Sequence, residues 1–255
     1  MPVRLRYHTD PACPASWAAE PALRRLIVEF GADLSITYVM GGLAREYGAP
    51  YEARVMEWLE HADRSGMPFD PLLWCEGPIR STYPACIAVK AAAEQGAEAE
   101  ARYLRALREG LMCFRRKLDG KEALVEEARG AGLDVARFRI DLDSHAILEA
   151  FGADLEATRA YPSGLPFLVV GDGERVIGPG DDWQAALVEA GAKPAGEPRP
   201  DVVGALGRFG RMATAEVEAV CDLRGPRANA ELWRLAAEWR VKPVRVLTGT
   251  LWELA

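Results

Sequence analysis

The sequence is short of three things: cysteine, long apolar runs and positive charge. Five cysteines among 255 residues cannot all pair within one chain, which excludes a disulfide-stapled scaffold. No run of about 18 apolar residues occurs, and the first seven residues hold no apolar stretch of signal-peptide length. The net charge of −7 disfavours nucleic-acid and anionic-membrane partners. With 49% hydrophobic residues, the chain is expected to be a globular cytoplasmic protein with a large core.

The first forty residues predict a strand, a helix and a second strand. Val3, Leu5 and Tyr7 alternate with polar residues, which is typical of a half-buried strand. Apolar residues at helical spacing predict a helix over 17–30, and the β-branched and aromatic run 34–40 predicts a strand. This order within so short a span indicates a βαβ unit with parallel strands.

A block of about a hundred residues, from about 50 to 161, has helical spacing throughout. In one of its helices Tyr103 and Leu107 share an apolar face, while Arg and Glu occupy the other face. The block contains no strong strand candidate. Its last two helices are predicted at 143–151 and 154–161.

Strand chemistry returns after the helical block. Two strands at 165–170 and 175–177 flank a turn at 171–174. A helix over 183–190 follows, with Asp181 as its N-cap. The predicted architecture is α/β: a βαβ unit, a large helical insertion and a ββα unit.

The C-terminal end is predicted to be a small separate module. A proline-rich linker at 193–201 separates a first domain, 1–192, from the module at 202–255. The predicted parts of the module are helices at 214–221 and 229–240 and a hairpin over 244–252. That order resembles part of a winged helix. Because the second helix has as many acidic as basic residues, DNA binding is not expected.

Cys13 stands where the first strand gives way to the first helix. Unpaired N–H groups at a helix start favour a thiolate, and Pro14 suits the first turn because it lacks an N–H. Ser16, one turn on, could donate a hydrogen bond to that thiolate. The alternative interpretation is a small buried side chain without chemistry.

Three short segments stand out: Asp10-Pro11-Ala12-Cys13-Pro14-Ala15-Ser16-Trp17, Arg80-Ser81-Thr82-Tyr83-Pro84-Ala85 and Ser163-Gly164-Leu165-Pro166-Phe167. Their order resembles that in DsbA-like thioredoxin-fold proteins, above all the FrnE-like and SpxH/YjbH-like branches. The resemblance extends from residue 3 to about 190 and implies a thioredoxin fold with a large helical insertion. It also implies a cis bond before Pro166, opposite Cys13. Such a bond would expose the backbone of Leu165 to an extended substrate.

The sequence departs from that family at Ser16, which takes the place of the usual second cysteine. A dithiol enzyme needs that second thiolate to release the mixed disulfide formed by the first. The resemblance therefore implies a thiol–disulfide oxidoreductase or isomerase that acts as a monothiol through Cys13, with glutathione as a candidate co-substrate. Pro14, Leu165 and Pro166 would bind the substrate. No metal and no other cofactor are expected.

Two further functions stay open. SpxH/YjbH-like proteins are non-catalytic adaptors that bind a protein partner for proteolysis, and a degraded Cys-x-x-Cys motif fits that role. The fold also occurs in kappa-type glutathione transferases and chromene-carboxylate isomerases, which carry serine where this chain has Cys13. The expected partner is therefore a protein or a low-molecular-weight thiol or disulfide.

The remaining cysteines and His8 are secondary candidates. Cys86, Cys113 and Cys221 lie among apolar residues and are expected in the core, whereas Cys75 follows Trp near a turn. A resolving thiol could come from the three cysteines of the helical block. His8 lies five residues before the motif cysteine and could lower the pKa of its thiol when charged. No histidine has a His or Cys three or four residues further along the chain, so a zinc site is not predicted.

Overall fold

The computed structural model describes residues 2–171 and 175–255. The predicted βαβ unit is present: strand β1 (Val3–Thr9) is parallel to β2 (Leu34–Met40), with Leu5 opposite Ile36. The single helix predicted over 17–30 is wrong, because two helices occur, α1 (Pro14–Ala18) and α2 (Glu20–Phe30). Pro21 in the first turn of α2 has no N–H to donate to the preceding turn, so the helix restarts there.

The predicted helical block is also present, between β2 and the next strand. Its helices are α3 (Glu52–Ser65), α4 (Leu73–Glu76), α5 (Tyr83–Ala93), α6 (Ala97–Phe114), α7 (Lys121–Gly130), α8 (Val135–Leu142) and α9 (His145–Arg159). The two short helices predicted at 143–151 and 154–161 are wrong, since α9 is continuous. Ser144 caps α9 by accepting a hydrogen bond from the N–H of Ala146. Burial of Ile147 and Phe151 outweighs the weak helix preference of Gly152.

The sheet of the first part is completed by β3 (Phe167–Val170) and β4 (Arg175–Ile177). Its strand order is β2-β1-β3-β4, with β3 antiparallel to both neighbours. This order, with the helical block inserted after β2, is the predicted thioredoxin fold. Residues 172–174 of the predicted turn lie outside the described part of the chain.

Helix α10 (Trp183–Glu189) follows this sheet, and its N-cap differs from the prediction. Asp182 caps it by accepting from the N–H of Ala185 at 3.0 Å. Asp181 instead accepts from the N–H of Gly178 at 2.7 Å, which closes the preceding turn. The sequence offers two adjacent acidic residues as N-caps. Because Asp181 closes the preceding turn, Asp182 is the one that caps the helix.

The proline-rich segment after α10 runs along α2. The N–H of Ala195 donates to the carbonyl of Glu29 at 2.8 Å, and the guanidinium of Arg199 pairs with the Glu29 carboxylate at 2.7 Å. This segment has no helix or strand. Residues 193–198 are exposed, and the segment is held against the first part of the molecule through Glu29.

The C-terminal module has the element order of a winged helix. It contains α11 (Val202–Phe209), β5 (Met212–Ala213), α12 (Thr214–Cys221), α13 (Pro226–Ala237), β6 (Val241–Val246) and β7 (Gly249–Leu254). The antiparallel sheet has the order β5-β7-β6. The sequence prediction missed α11 and β5, and it placed α13 three residues too late. Pro226 in the first turn of α13 and Trp239, with a φ of 59°, set its true ends.

A buried ion-pair cluster joins the module to the first part. We call it the junction: Glu216 of α12 lies 3.1 Å from Arg24 of α2 and 2.8 Å from Arg105 of α6, and Arg211 lies 2.9 Å from Glu109. The Glu216 side chain is fully buried. In the part of the chain that the structure describes, no helix is long and apolar enough to cross a membrane.

Candidate thiol site

Cys13 is the N-cap residue of α1, as the sequence predicts. Its Sγ accepts a hydrogen bond from the N–H of Ser16 at 3.4 Å. Pro14 occupies the first turn. The thiol therefore takes the position of an N-cap oxygen, next to backbone N–H groups that have no partner within the helix.

The third segment singled out in the sequence lies against this thiol. The bond between Leu165 and Pro166 is cis, as the resemblance implies. The carbonyl oxygen of Leu165 lies 3.8 Å from the Sγ of Cys13, within the range for a weak S–H donor. Cys13, Ser16 and Leu165 thus meet in space, although 152 residues separate the first from the last. The roles of these residues in binding a substrate stay a prediction.

The thiol of Cys13 is shielded from solvent. The residue is 2% exposed, and burial raises the pKa of its thiol to about 11. The N–H of Ser16 lowers the pKa in part, whereas the Ser16 hydroxyl is buried without a hydrogen-bond partner. The helix start favours a thiolate, but in this structure the loss of hydration opposes the N–H groups and outweighs them. That Cys13 acts as a nucleophile stays a prediction.

His8 does not have the activating role that the sequence left open, and it is a polar residue near the end of the first strand. Its ring stacks on Phe167 with centroids 4.3 Å apart, and its Nδ1 lies 2.9 Å from the hydroxyl of Thr158. Burial, followed by the charge of Arg6, lowers the pKa of His8 to about 4, so the ring is neutral at pH 7. A neutral imidazole offers no positive charge to a thiolate.

Three of the other cysteines lie in the core as predicted, and Cys75, which the sequence did not place, is exposed. Cys86, Cys113 and Cys221 are buried, Cys75 is exposed, and all are free thiols. Burial raises the pKa of Cys86 and of Cys113 well above the usual range. Two of the three candidate resolving thiols are thus buried in the core and protonated.

The sequence analysis assigned no role to Asp10 or Thr82, although both lie in the segments that carry the resemblance. The Thr82 hydroxyl donates to the Asp10 carboxylate at 2.6 Å, and both side chains are fully buried. The signal in the sequence that could have pointed to Asp10 was its position, a charged residue between the half-buried first strand and a Cys-Pro turn. Within residues 2–171 and 175–255, no cluster of three or more His, Cys, Asp or Glu side chains could hold a metal ion.

A buried cysteine at a helix start, opposite a cis-proline and beside a sheet with a helical insertion, defines a thioredoxin-fold protein of the DsbA type. A family model described as Thioredoxin matches residues 7–174. The ClpXP adapter protein SpxH of Halalkalibacterium halodurans is 32% identical over 270 residues, covering 98% of this chain and 88% of the relative. The SpxH protein of Bacillus subtilis is 26% identical and covers 99% of this chain and 89% of the relative. The chain belongs to the DsbA-like thioredoxin-fold family, in the branch that contains SpxH.

Solved structures agree with this fold. A putative protein disulfide isomerase from Nitrosomonas europaea superposes with a TM-score of 0.66 at 22% identity, covering 74% of this chain and 96% of its own. The cytosolic disulfide reductase DsbM from Pseudomonas aeruginosa, solved with GSH, gives 0.62 at 21% identity, covering 73% of this chain and 98% of its own. These neighbours cover about three quarters of this chain, whereas the SpxH relatives cover nearly all of it.

Proposed function

We propose that this chain is a cytoplasmic adaptor that binds a protein partner and presents it to a ClpXP-type protease. The observation that carries the proposal is coverage: the SpxH relatives match 98–99% of the chain, including the C-terminal module. The disulfide reductase neighbour spans 73% of it. An adaptor needs two binding surfaces, and a second module supplies more surface than a thioredoxin fold alone.

The chemistry of the thiol site supports binding over turnover. Disulfide exchange needs a thiolate, and the thiol of Cys13 is shielded with its pKa raised to about 11. Ser16 stands where a second cysteine would release a mixed disulfide. The face around Cys13 and Leu165 is therefore proposed to recognise a partner by shape and backbone hydrogen bonds.

The direct test is a reconstituted degradation assay. Purified ClpXP, ATP and soluble protein from the source cells are incubated with and without this chain, and the loss of each protein is followed by quantitative mass spectrometry. We expect a small set of proteins to be degraded several-fold faster when the chain is present. The Cys13→Ser variant is expected to retain this acceleration, because the proposed role does not use thiolate chemistry.

The contrary result is equally specific. If no protein is degraded faster with the chain, the adaptor proposal fails. A loss of acceleration in Cys13→Ser, with the fold intact by circular dichroism, would show that the thiol itself takes part. A variant that ends at residue 192 is avoided, because the module is packed on the rest through the junction.

A monothiol oxidoreductase is the second candidate, and the contacts of Cys13 favour it. The N–H of Ser16 lies 3.4 Å from the Sγ, where it would stabilise a thiolate once a substrate or a movement of the loops admitted one. Glutathione would then supply the second thiol. Glutathione-dependent reduction of a model protein disulfide that disappears in Cys13→Ser would establish this function. The glutathione-transferase alternative stays a prediction.

A further inference from the structure

Asp10 is a fully buried carboxylate that lies three residues before Cys13. One of its oxygens accepts from the N–H of Ala12 at 2.7 Å. The other accepts from the N–H of Leu43 at 2.7 Å, the hydroxyl of Thr82 at 2.6 Å and the thiol of Cys86 at 3.2 Å. Four donors around one buried carboxylate are an unusually complete set.

These donors come from three separate segments of the chain. Ala12 belongs to the turn that carries Cys13, whose own N–H donates to the Asp10 carbonyl at 3.2 Å. Leu43 belongs to the loop after β2, and Thr82 and Cys86 belong to the start of α5. Asp10 therefore ties the thiol turn to two elements that are distant in sequence.

The loop after β2 packs on the cis-proline segment, whose Leu165 carbonyl lies 3.8 Å from the Sγ of Cys13, and the two together form a wall beside the thiol. A Cβ atom on Gly41 would lie 2.8 Å from the side chain of Leu165, so the loop and the cis-proline segment are in close contact. The N–H of Gly41 donates to the carbonyl of Thr9 at 2.7 Å, and Ala44 exchanges backbone and side-chain hydrogen bonds with Thr82. Asp10 holds this wall in place through Leu43.

The hydrogen bonds suit the ionised form of Asp10. The hydroxyl oxygen of Thr82 accepts from the N–H of Ala44, which leaves its proton for Asp10. Burial raises the pKa of Asp10, and the hydrogen bonds from its partners lower it in part. The hydrogen-bond partners of the Asp10 side chain all act as donors, which is the arrangement that an ionised carboxylate needs.

We propose that Asp10 is a positioning residue for Cys13: its carboxylate fastens the loop after β2 over the thiol and places a fixed negative charge near it. Asp10 thereby makes Cys13 a shielded neutral group instead of a nucleophile. The consequence for partner binding rests on the proposed adaptor function, but the effect on the thiol does not.

Other charged or titratable groups also face Cys13 and enter the same balance. Arg108 of α6 acts in the opposite direction, because its positive charge lowers the pKa of the thiol. The phenols of Tyr7 on β1 and Tyr47 in the loop after β2 interact electrostatically with the thiolate form of Cys13. Arg108 is itself paired with the buried carboxylate of Glu20, so removing Asp10 takes a negative charge away from the thiol without leaving Arg108 unpaired.

The test measures the rate of alkylation of Cys13 by iodoacetamide against pH, with mass spectrometry of the Cys13 peptide to separate it from the other cysteines. In Asp10→Asn, we expect the pH midpoint to fall by about one unit, so that alkylation at pH 8 is about tenfold faster than in the wild type. The matched control is Thr82→Val, which loosens the loop but keeps the charge. In this control the limiting rate at high pH is expected to rise several-fold, with an unchanged midpoint.

The outcomes separate the two roles of Asp10. An unchanged midpoint in Asp10→Asn, or an equal fall in Thr82→Val, would overturn the proposal. If Asp10→Asn does not fold, Cys86→Ala and Cys86→Ser continue the test, since only the serine keeps a donor to Asp10. A faster limiting rate of alkylation in Cys86→Ala but not in Cys86→Ser supports the proposal that Asp10 fastens the loop. Equal limiting rates in the two variants contradict it. No partner is needed, so a failure here leaves the adaptor proposal untouched, and a failed degradation assay leaves this one untouched.

Discussion

The junction and the thiol site both bury polar side chains, but they satisfy them differently. In the junction, Glu216 has no exposed surface and contacts the guanidinium groups of both Arg24 and Arg105. At the thiol site, the hydroxyl of Ser16 and the Nε2 of His8 are buried without a hydrogen-bond partner. The junction pairs its buried charges with opposite charges. The thiol site satisfies Asp10 with four hydrogen-bond donors but leaves the Ser16 hydroxyl and the His8 Nε2 without a partner.

This difference separates a structural region from the candidate binding region. Buried polar groups are nearly always paired in folded proteins, so unpaired ones mark places where stability has been given up for another purpose. The junction fixes the C-terminal module to α2 and α6, and therefore fixes the relation between the two proposed binding surfaces. The thiol site is then the region in which a partner would supply missing contacts.

Of the predicted changes, removal of the Glu216 carboxylate from the junction should lower the free energy of unfolding the most. Glu216→Ala leaves Arg24 and Arg105 buried without their shared carboxylate and removes a hydrogen bond to the N–H of Ala213 at 2.6 Å. Arg105 keeps its ion pairs with Glu20 and Glu109, and Arg24 keeps one with Glu20, so the expected loss lies at the lower end of the about 3–5 kcal/mol that removal of one partner of a buried pair typically costs. We expect that loss in the free energy of unfolding, measured by urea denaturation.

The matched control is another glutamate of the same module. Glu231 pairs with Arg234 at 2.6 Å, but Arg234 is exposed and Glu231 only half-buried, so Glu231→Ala should lose less than about 1 kcal/mol. Equal losses in the two variants would show that the junction is an ordinary surface ion pair. It would then have no role in fixing the module.

Acidification should act on the thiol site through His8, with a smaller effect. The folded-state pKa of His8 is about 4, below its usual 6.5, so protonation favours the unfolded chain. Stability from this residue is complete above pH 6.5 and is lost as the pH falls toward 4. Because solvent screens part of the shift, we expect a loss of about 1–2 kcal/mol.

The measurement is the difference in unfolding free energy between wild type and His8→Gln, followed from pH 7 to pH 4. Glutamine does not titrate, so this difference removes the contribution of other groups. Glu100, for example, has a pKa raised by burial to about 7 and changes stability in the opposite sense. A difference that stays constant across this range would mean that His8 is not held neutral.

Much of the fold could be predicted because it depends on local patterns. Alternation in β1 and the β-branched run of β2 define the βαβ unit, and both strands occur where they were expected. Helix α11 was missed because Gly204 and Gly207 weaken its helical pattern. The available signal was Asp201, whose carboxylate caps α11 by accepting from the N–H of Gly204 at 2.7 Å.

The state of the site could not be predicted, because it depends on distant segments. The sequence placed Cys13 at a helix start, which favours a thiolate, but burial by Leu165 and the loop after β2 decides its pKa. The junction is equally non-local: Glu216 and Arg24 lie far apart in the chain and belong to regions that were treated separately. Local residue patterns give the elements, and only their packing shows which polar groups remain unpaired.

The smallest expected effect on stability concerns the hydroxyl of Ser16, one of the unpaired groups that distinguish the thiol site from the junction. Since this buried hydroxyl has no partner, Ser16→Ala should change the free energy of unfolding by less than about 1 kcal/mol, or raise it slightly. Thr82→Val is the matched control, because its hydroxyl donates to Asp10 and its loss should cost about 1–3 kcal/mol. If Ser16→Ala loses as much as Thr82→Val, then the Ser16 hydroxyl is paired in the free protein. In that case the thiol site would be as complete as the junction, and the distinction between a structural and a binding region would fail.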